Sequence, residues 1–286
     1  EVKEKGIERK AGMEKAAGFF LMLFIVIGTY AVIYGILYVA GMIHPLFRFC
    51  LETFFIYQTL ATKSLKKESM KVYKKLKEGD LLGARKEVSY LVGRDTENLD
   101  ESEVAKADVE TIAENTADGV IAPMLFIALG GAPLGFAYKA VNTLDSMVAY
   151  RNDELIHIGF FSAKMDDICN FVPARFAAVM MVLGAFFLRF DFKGAVRIFK
   201  RDRFAHLSPN SAQTEAVAAG ALQIQLGGTH NYFGKAVVKP TIGDAIRPVE
   251  YEDIKRTNQL LYVSAFLSMA VCTLITFLIY VQLFNV

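Results

Sequence analysis

Three short segments of the chain place acids and amides at helical spacing. In "AENTADG", Glu114 and Asp118 stand four residues apart with Asn115 beside them. In "VNTLDS", Asn142 precedes Asp145 by three, and in "KMDDICN" Asp166 precedes Asn170 by four, with Asp167 adjacent. On a helix each spacing puts an acid and a second oxygen-bearing side chain on one face. All three segments adjoin apolar runs, and an Asp at bilayer depth costs about 2.5–3.5 kcal/mol on insertion scales. Clustered carboxylates also repel one another, so something positive must offset Glu114, Asp118, Asp145, Asp166 and Asp167 wherever they meet. Mg2+ suits an all-oxygen site that supplies one or two carboxylates and leaves room for substrate phosphates. The candidate ligands are Asp145, Asp166, Asp167 and Asn170, with Asn142 as a supporting oxygen. Taken singly, each segment reads more simply as an acidic helix end, and "DDICN" as a helix start favoured by the dipole. Their recurrence beside apolar sequence is what points to chemistry.

Cations are available for the same chemistry. Arg94 lies in "VGRDTENL", Lys139 in "FAYKAVNTLD", and Arg175 follows Pro173 at the head of an apolar run. Arginine holds phosphates and carboxylates bidentately, which makes Arg94, Arg175 and Arg201 the better candidates for an anionic substrate. The structural alternatives are ordinary pairs: Arg94 with Asp95 or Glu97, Arg175 with Asp166 or Asp167. In "RDRFAHLSPNSAQTEAVAAGALQIQLGG", Asn210 and Gln213 have capping-box spacing, and a helix of small residues is expected to run until Gly227–Gly228. The free N–H groups at its start, with Arg201 and Arg203 nearby, would suit an anion. "LGGTHNYFG" is a weak glycine-loop signal. No GxxxxGK[ST] occurs, so a nucleotide site would not be a P-loop. The four histidines show no zinc spacing, no Ser-His-Asp or Cys-His arrangement stands out, and three distant cysteines fit a reduced protein.

The elements that must position these groups belong to a membrane protein. Of 286 residues 53% are hydrophobic, yet 22% are charged, so a large part of the chain sits in water. A net charge of +2 spread over this length carries no nucleic-acid footprint. Residues 16–40 and 260–284 are uncharged for long enough to span a bilayer, which takes about 20 residues. Residues 42–61 contain Arg48 and Glu52 four apart and read as a helix packed on protein or lying at the interface. Seven lysines crowd into residues 63–77, which by the positive-inside rule marks the cytoplasmic side. Asp100 and Glu103 have capping-box spacing and predict a helix start. Residues 119–145 could cross, but "GGAPLG" at 130–135 divides them into a broken or re-entrant pair. Residues 176–188 are apolar but short. The expectation is an all-α, polytopic integral membrane protein with three to five spans, a broken or re-entrant helix pair and cytoplasmic helical segments. Its divisions are an N-terminal hairpin (1–62), a cytoplasmic helical segment (63–116), a core with short helices and polar motifs (117–259) and a C-terminal span (260–286).

"GRDT", "ENTADGVIAPMLF", "ALGGAPLGFAYKAVNTLDSMV", "KMDDICNFVPAR", "SPNSAQTEAVAAGALQIQLGG" and "PTIG" resemble, in order and spacing, the CobD/CbiB family of adenosylcobinamide-phosphate synthases. The likeness runs from about Gly93 to Gly243, with departures at Lys164 and Ala149 where the family has Arg and Gly. An acidic N-terminal membrane segment with an HPV motif is also expected of the family, whereas here His44-Pro45 follows the first span. The resemblance implies a cell-membrane enzyme with its site on the cytoplasmic side and ATP and Mg2+ as cofactors. Its substrates would be adenosylcobyric acid and aminopropanol or its phosphate, joined as an amide. On that reading Asp145, Asp166 and Asp167 hold Mg2+, and Glu114 or Asp118 orients the amine or takes its proton. Arg94, Lys139, Arg175, Arg201 and Asn210 then meet ATP or the aminopropanol phosphate. A Mg2+-dependent prenyl-type transferase and a cation-coupled transporter are the rival classes, and homo-oligomerisation is left open.

Overall fold

The computed structural model describes residues 2–148, 157–232 and 234–284. Ala149 lies outside them. The order of elements is α1 (Val2–Ile43), α2 (Pro45–Thr59), α3 (Thr62–Lys77), α4 (Leu81–Ser89), α5 (Glu101–Asn115), a π-helical turn (Thr116–Ile121), α6 (Ala122–Val148), α7 (Phe160–Phe187), α8 (Phe192–Asp202), α9 (Ser211–Leu222), β1 (Leu226–Tyr232), β2 (Lys235–Ile242) and α10 (Tyr251–Phe284). Four helical segments are long and apolar enough to cross a membrane: Lys10–Ile43, Glu101–Val148, Phe160–Phe187 and Tyr251–Ile279. That number falls inside the expected range, and the protein is a helical polytopic membrane protein. The chain forms two compact units. One holds residues 1–60, 123–170 and 273–286; the other holds 61–122 and 171–272.

In the first unit α1 turns into α2 at His44, whose Nδ1 accepts the Leu46 N–H at 3.1 Å with Pro45 in the first helical position. The 15 residues of α2 are too few to span, and Arg48 and Glu52 pair along it at 4.0 Å, as their spacing predicts. The helix α6 is broken at Gly130 and Gly131, the latter at φ 67. Phe126 and Tyr138 stack with ring centroids 4.8 Å apart, whereas twelve residues of straight helix would separate them by about 18 Å. The two halves therefore fold back on each other, which is the re-entrant alternative. Only glycine takes the left-handed turn at Gly131 without strain, and a Cβ there would lie 2.6 Å from Glu52 Oε1. That same oxygen accepts the Ala132 N–H at 3.4 Å, so a membrane-level acid meets the open N-terminus of the second half. Ile33, Leu37 and Ala132 form the core here, with Leu51, Phe55, Ile56 and Phe136 packed around it.

In the second unit every residue of α9 is buried. Its small side chains permit this: Gly220 meets Gly194 of α8 so closely that a Cβ on Gly220 would lie 2.4 Å from the Gly194 carbonyl oxygen. Ala113, Met181, Val217, Ala218 and Leu260 complete the core. The capping box of α5 is present in both directions, as expected.

Three local expectations are corrected. The "DDICN" segment lies inside α7, which begins at Phe160 and carries the short apolar run 176–188 as its second half. Asn210 does not cap α9: its Oδ1 accepts from Arg175 at 3.1 Å, and Gln213 turns its amide to the carbonyls of Arg203 and Pro209. A buried helix start leaves its polar side chains bonding to packed neighbours. Finally, α9 stops at Gln223 in the left-handed conformation, before Gly227–Gly228. Those glycines begin an antiparallel two-stranded hairpin with a bulge between them, in place of a glycine loop.

Candidate active site

The second unit holds a cavity of about 160 Å³ whose walls come from six places in the chain. Glu110 and Glu114, one turn apart, project from α5. Arg94 comes from the loop after α4, Glu215 from α9, and Lys239 from β2; Thr111, Asn115, His206, Tyr232 and the Gly227 backbone add to the polar lining. Arg94 and Glu110 form an ion pair with side chains 8% and 9% exposed. Glu110 Oε1 also accepts the Gly227 N–H at 2.7 Å, which ties β1 to α5. Arg94 Nη1 lies 3.2 Å from His230 Nδ1. Glu114 accepts from the Ser211 hydroxyl at 2.7 Å, and Ser211 and Glu215 occupy successive turns of α9. Glu215 is buried and accepts no hydrogen bond among the described residues.

Burial, reinforced by the charges of Glu110 and Glu114, pushes the Glu215 carboxyl well above the usual glutamate range. Burial, reinforced by Arg94, brings the His230 imidazole down to about 4, so it is neutral and can accept from the guanidinium. Burial likewise lowers His206. The signs set a stability profile. Between the ordinary carboxylate pKa and the raised one, folded Glu215 keeps a proton that the unfolded chain releases, so its contribution is lost as pH rises. For His230 the unfolded chain binds the proton first, so stability is lost as pH falls from about 6.5 towards 4. Glu215→Gln, neutral and of the same shape, is therefore expected to raise the apparent melting temperature at neutral pH and to have little effect near pH 4. A pH series of thermal melts in detergent measures it; a variant equally shifted at both ends contradicts the assignment.

The residues singled out in the sequence fall in several places. Arg94 and Glu114 line the cavity. Asp118, half-buried in the π-helical turn, does not. Arg175 donates to Asn210 Oδ1 and to the Phe171 carbonyl oxygen and lies over the Phe171 ring, 3.7 Å from its centroid. Arg201 forks between Asp202 and Asp244, with bonds of 2.7–2.8 Å. In the first unit the Asn142 amide donates to the buried Asp166 at 3.4 Å, so two predicted partners do meet. Asp167 sits 3.8 Å from Lys164, Asp145 and Lys139 are half-buried on α6, and Asn170 Oδ1 accepts from the Tyr138 hydroxyl at 2.7 Å. Among the described residues no three His, Cys, Asp or Glu side chains stand at ion-binding spacing. There is thus no all-protein cage among them; of the predicted ligand set, Asp166 meets the supporting amide Asn142.

Sequence reasoning missed Glu110, Glu215, His206, Tyr232 and Lys239. Two signals were present: Glu110 precedes Glu114 by one turn, and Glu215 is the single acid in a helix otherwise built of small and apolar residues.

Membrane-crossing helices, a re-entrant helical pair and a buried cavity of mixed charge define a polytopic helical membrane protein with a polar interior site. The CobD/Cbib protein family model matches residues 2–261. The chain is 52% identical over 261 residues to the cobalamin biosynthesis protein CobD of Clostridium perfringens, covering 91% of this chain and 83% of that one. It is 48% identical to CobD of Streptococcus sanguinis over 267 residues, 93% and 84% of the two chains, and 48% identical to CbiB of Salmonella choleraesuis over 251 residues, 87% and 79%. The chain belongs to the CobD/CbiB family and has a role in cobalamin biosynthesis. No solved structure matches it.

Proposed function

We propose that the protein joins aminopropanol, or its phosphate, to the free propionate carboxyl of adenosylcobyric acid, forming an amide at the expense of ATP. The carrying observation is the cavity: acids at Glu114 and Glu215, cations at Arg94 and Lys239, and a volume of about 160 Å³. That volume is well below the roughly 300–1,000 Å³ of pockets for drug-sized ligands, so a nucleotide or corrinoid would not fit inside it. A molecule of a few heavy atoms with an ammonium at one end and a phosphate or hydroxyl at the other would.

ATP, as co-substrate, supplies the activation that lets a carboxylate react with an amine at neutral pH. The residues of this chain then position and deprotonate. Lys239 and Arg94 would receive the phosphate end. Glu114, partly exposed and held by Ser211, would take a proton from the ammonium so that its lone pair can attack. Glu215, protonated by its surroundings, would donate a hydrogen bond and avoid adding a second buried charge. Mg2+ would be held by Asp166 with Asp145 or Asp167 and by nucleotide phosphates, supplying charge neutralisation when bound.

The test is the full-length protein with adenosylcobyric acid, aminopropanol phosphate and MgATP, read by mass spectrometry. The expected result is an amide product with loss of one water relative to the two substrates and matching nucleotide hydrolysis. Absence of product with folded protein would count against the reading, and turnover of a lipid diphosphate without ATP would favour the transferase class.

A further inference from the structure

The lysine-rich helix α3 behaves differently at its two ends. Towards its C-terminus three lysines are matched, Lys71 with Glu68 at 2.5 Å, Lys75 with Asp80 at 2.8 Å and Lys74 with Glu78 at 3.9 Å, while Lys77 lies over the Tyr73 ring. Lys63, Lys66 and Lys67, in the first two turns, are exposed and form no ion pair among the described residues. Lys66 Nζ instead lies 4.7 Å over the ring of Tyr262. Tyr262 opens the exposed apolar stripe of α10, which continues through Phe266 and Met269. Its ring therefore marks where that helix passes from water into lipid, the depth at which tyrosine concentrates.

A second helix reaches the same level. On α7, Val172, Val179, Leu183 and Phe187 are exposed, and the space beside Gly184 is filled by Leu260, Val263 and Ser264 of α10. The stripe on α7 thus ends beside the start of the stripe on α10. There the chain turns through Arg189, at φ 58, and Phe186 meets both Phe187 and Phe192 edge-to-face in an exposed aromatic cluster. Arg189 and Lys193 are exposed beside it and form no ion pair among the described residues.

We propose that Lys63, Lys66, Lys67, Arg189 and Lys193 form a seat for anionic phospholipid headgroups at the membrane boundary. Unmatched cations immediately beyond a span attract such headgroups. The apolar stripes beneath them offer a path for acyl chains, and exposed aromatics at this depth suit a lipid interface. A soluble anion would use neither. Lys71, Lys74 and Lys75, farther along α3, are already held by carboxylates and have less charge to offer. This seat is separate from the cavity and independent of the amide-forming reading.

The experiment uses the full-length protein in mild detergent and in phosphatidylcholine nanodiscs, titrated with phosphatidylglycerol and read by native mass spectrometry. K63Q/K66Q/K67Q should retain phosphatidylglycerol at least about tenfold less strongly, whereas K71Q/K74Q/K75Q, with the same loss of charge, should stay within about twofold of the unaltered protein. Raised salt should narrow the difference. Equal loss in both triple variants would reduce the effect to net charge and overturn the proposal. So would binding of phosphatidylcholine as tightly as phosphatidylglycerol, or full competition by inorganic phosphate. If K66Q disturbs Tyr262 and lowers the melting temperature, K63Q/K67Q gives the same comparison without touching that contact.

Discussion

Glu114→Gln is expected to lower the rate of amide formation by about 10²–10⁴-fold, the range associated with a positioned general base. The substitution keeps the shape of the side chain, and its amide oxygen can still accept from Ser211, now at 2.7 Å from Glu114 Oε1. What it removes is the capacity to take a proton from the incoming ammonium. The loss should fall on kcat with KM for the amine within a few-fold, because Glu215, Arg94 and Lys239 still line the cavity. It should also shrink as pH rises, since a growing fraction of the amine then arrives without its proton. Ser211→Ala should cost less, at most the worth of one hydrogen bond to a charged group, about 1.5–3 kcal/mol, as it acts by holding Glu114. Steady-state kinetics across pH on the purified variants makes the measurement. A rate loss independent of pH, or confined to KM, would show that Glu114 binds the substrate without deprotonating it.

The membrane architecture was legible in the sequence because lipid imposes a severe rule on composition. Residues 16–40 and 260–284 have no other reading, and Gly130–Gly131 with Pro133 could only interrupt a span. The direction of the interruption was not legible, since a crossing helix and a folded-back pair need the same breakers. Contacts twelve residues apart, Phe126 with Tyr138, decide it. Half of the cavity was legible for a similar reason: Arg94 and Glu114 were picked out by charge beside apolar sequence. The rest was hidden by tertiary structure. Lys239 and Tyr232 lie on strands that no alternation announced, because Gly227–Gly228 looked like an ending and proved to be a beginning. Glu215 was hidden by expectation, because a helix of small residues suggested packing alone. The same small residues that let α9 bury all its faces are what carry an acid into the interior. The spacing argument grouped Asn142 with Asp145 and Asp166 with Asn170, whereas the contacts join Asn142 to Asp166 and commit Asn170 to Tyr138.

The second large effect concerns Arg94. Its guanidinium pairs with Glu110, and it also reaches His230, with both members of the ion pair more than nine-tenths buried. Arg94→Met preserves much of the volume but strands the Glu110 carboxylate in the interior, a loss of about 3–5 kcal/mol when one partner of a buried pair is removed. The hydrogen bond left to Glu110 among the described residues is the one from the Gly227 N–H at 2.7 Å, so the hairpin β1–β2 should loosen together with α5. The apparent melting temperature in detergent should fall by roughly 10 °C, taking about 2–4 °C per kcal/mol for a chain of this size class. Arg94→Lys should recover only part of this, because an ammonium cannot hold Glu110 and His230 in one planar fork. The double variant Arg94→Met, Glu110→Gln separates charge from packing. If stranded charge is the cause, the second substitution restores most of the lost stability without restoring activity, since the cation facing the cavity is still missing. If the double variant melts as low as the single one, the guanidinium is holding the loop through its shape and its contact with His230, and the pairing with Glu110 is incidental to the fold.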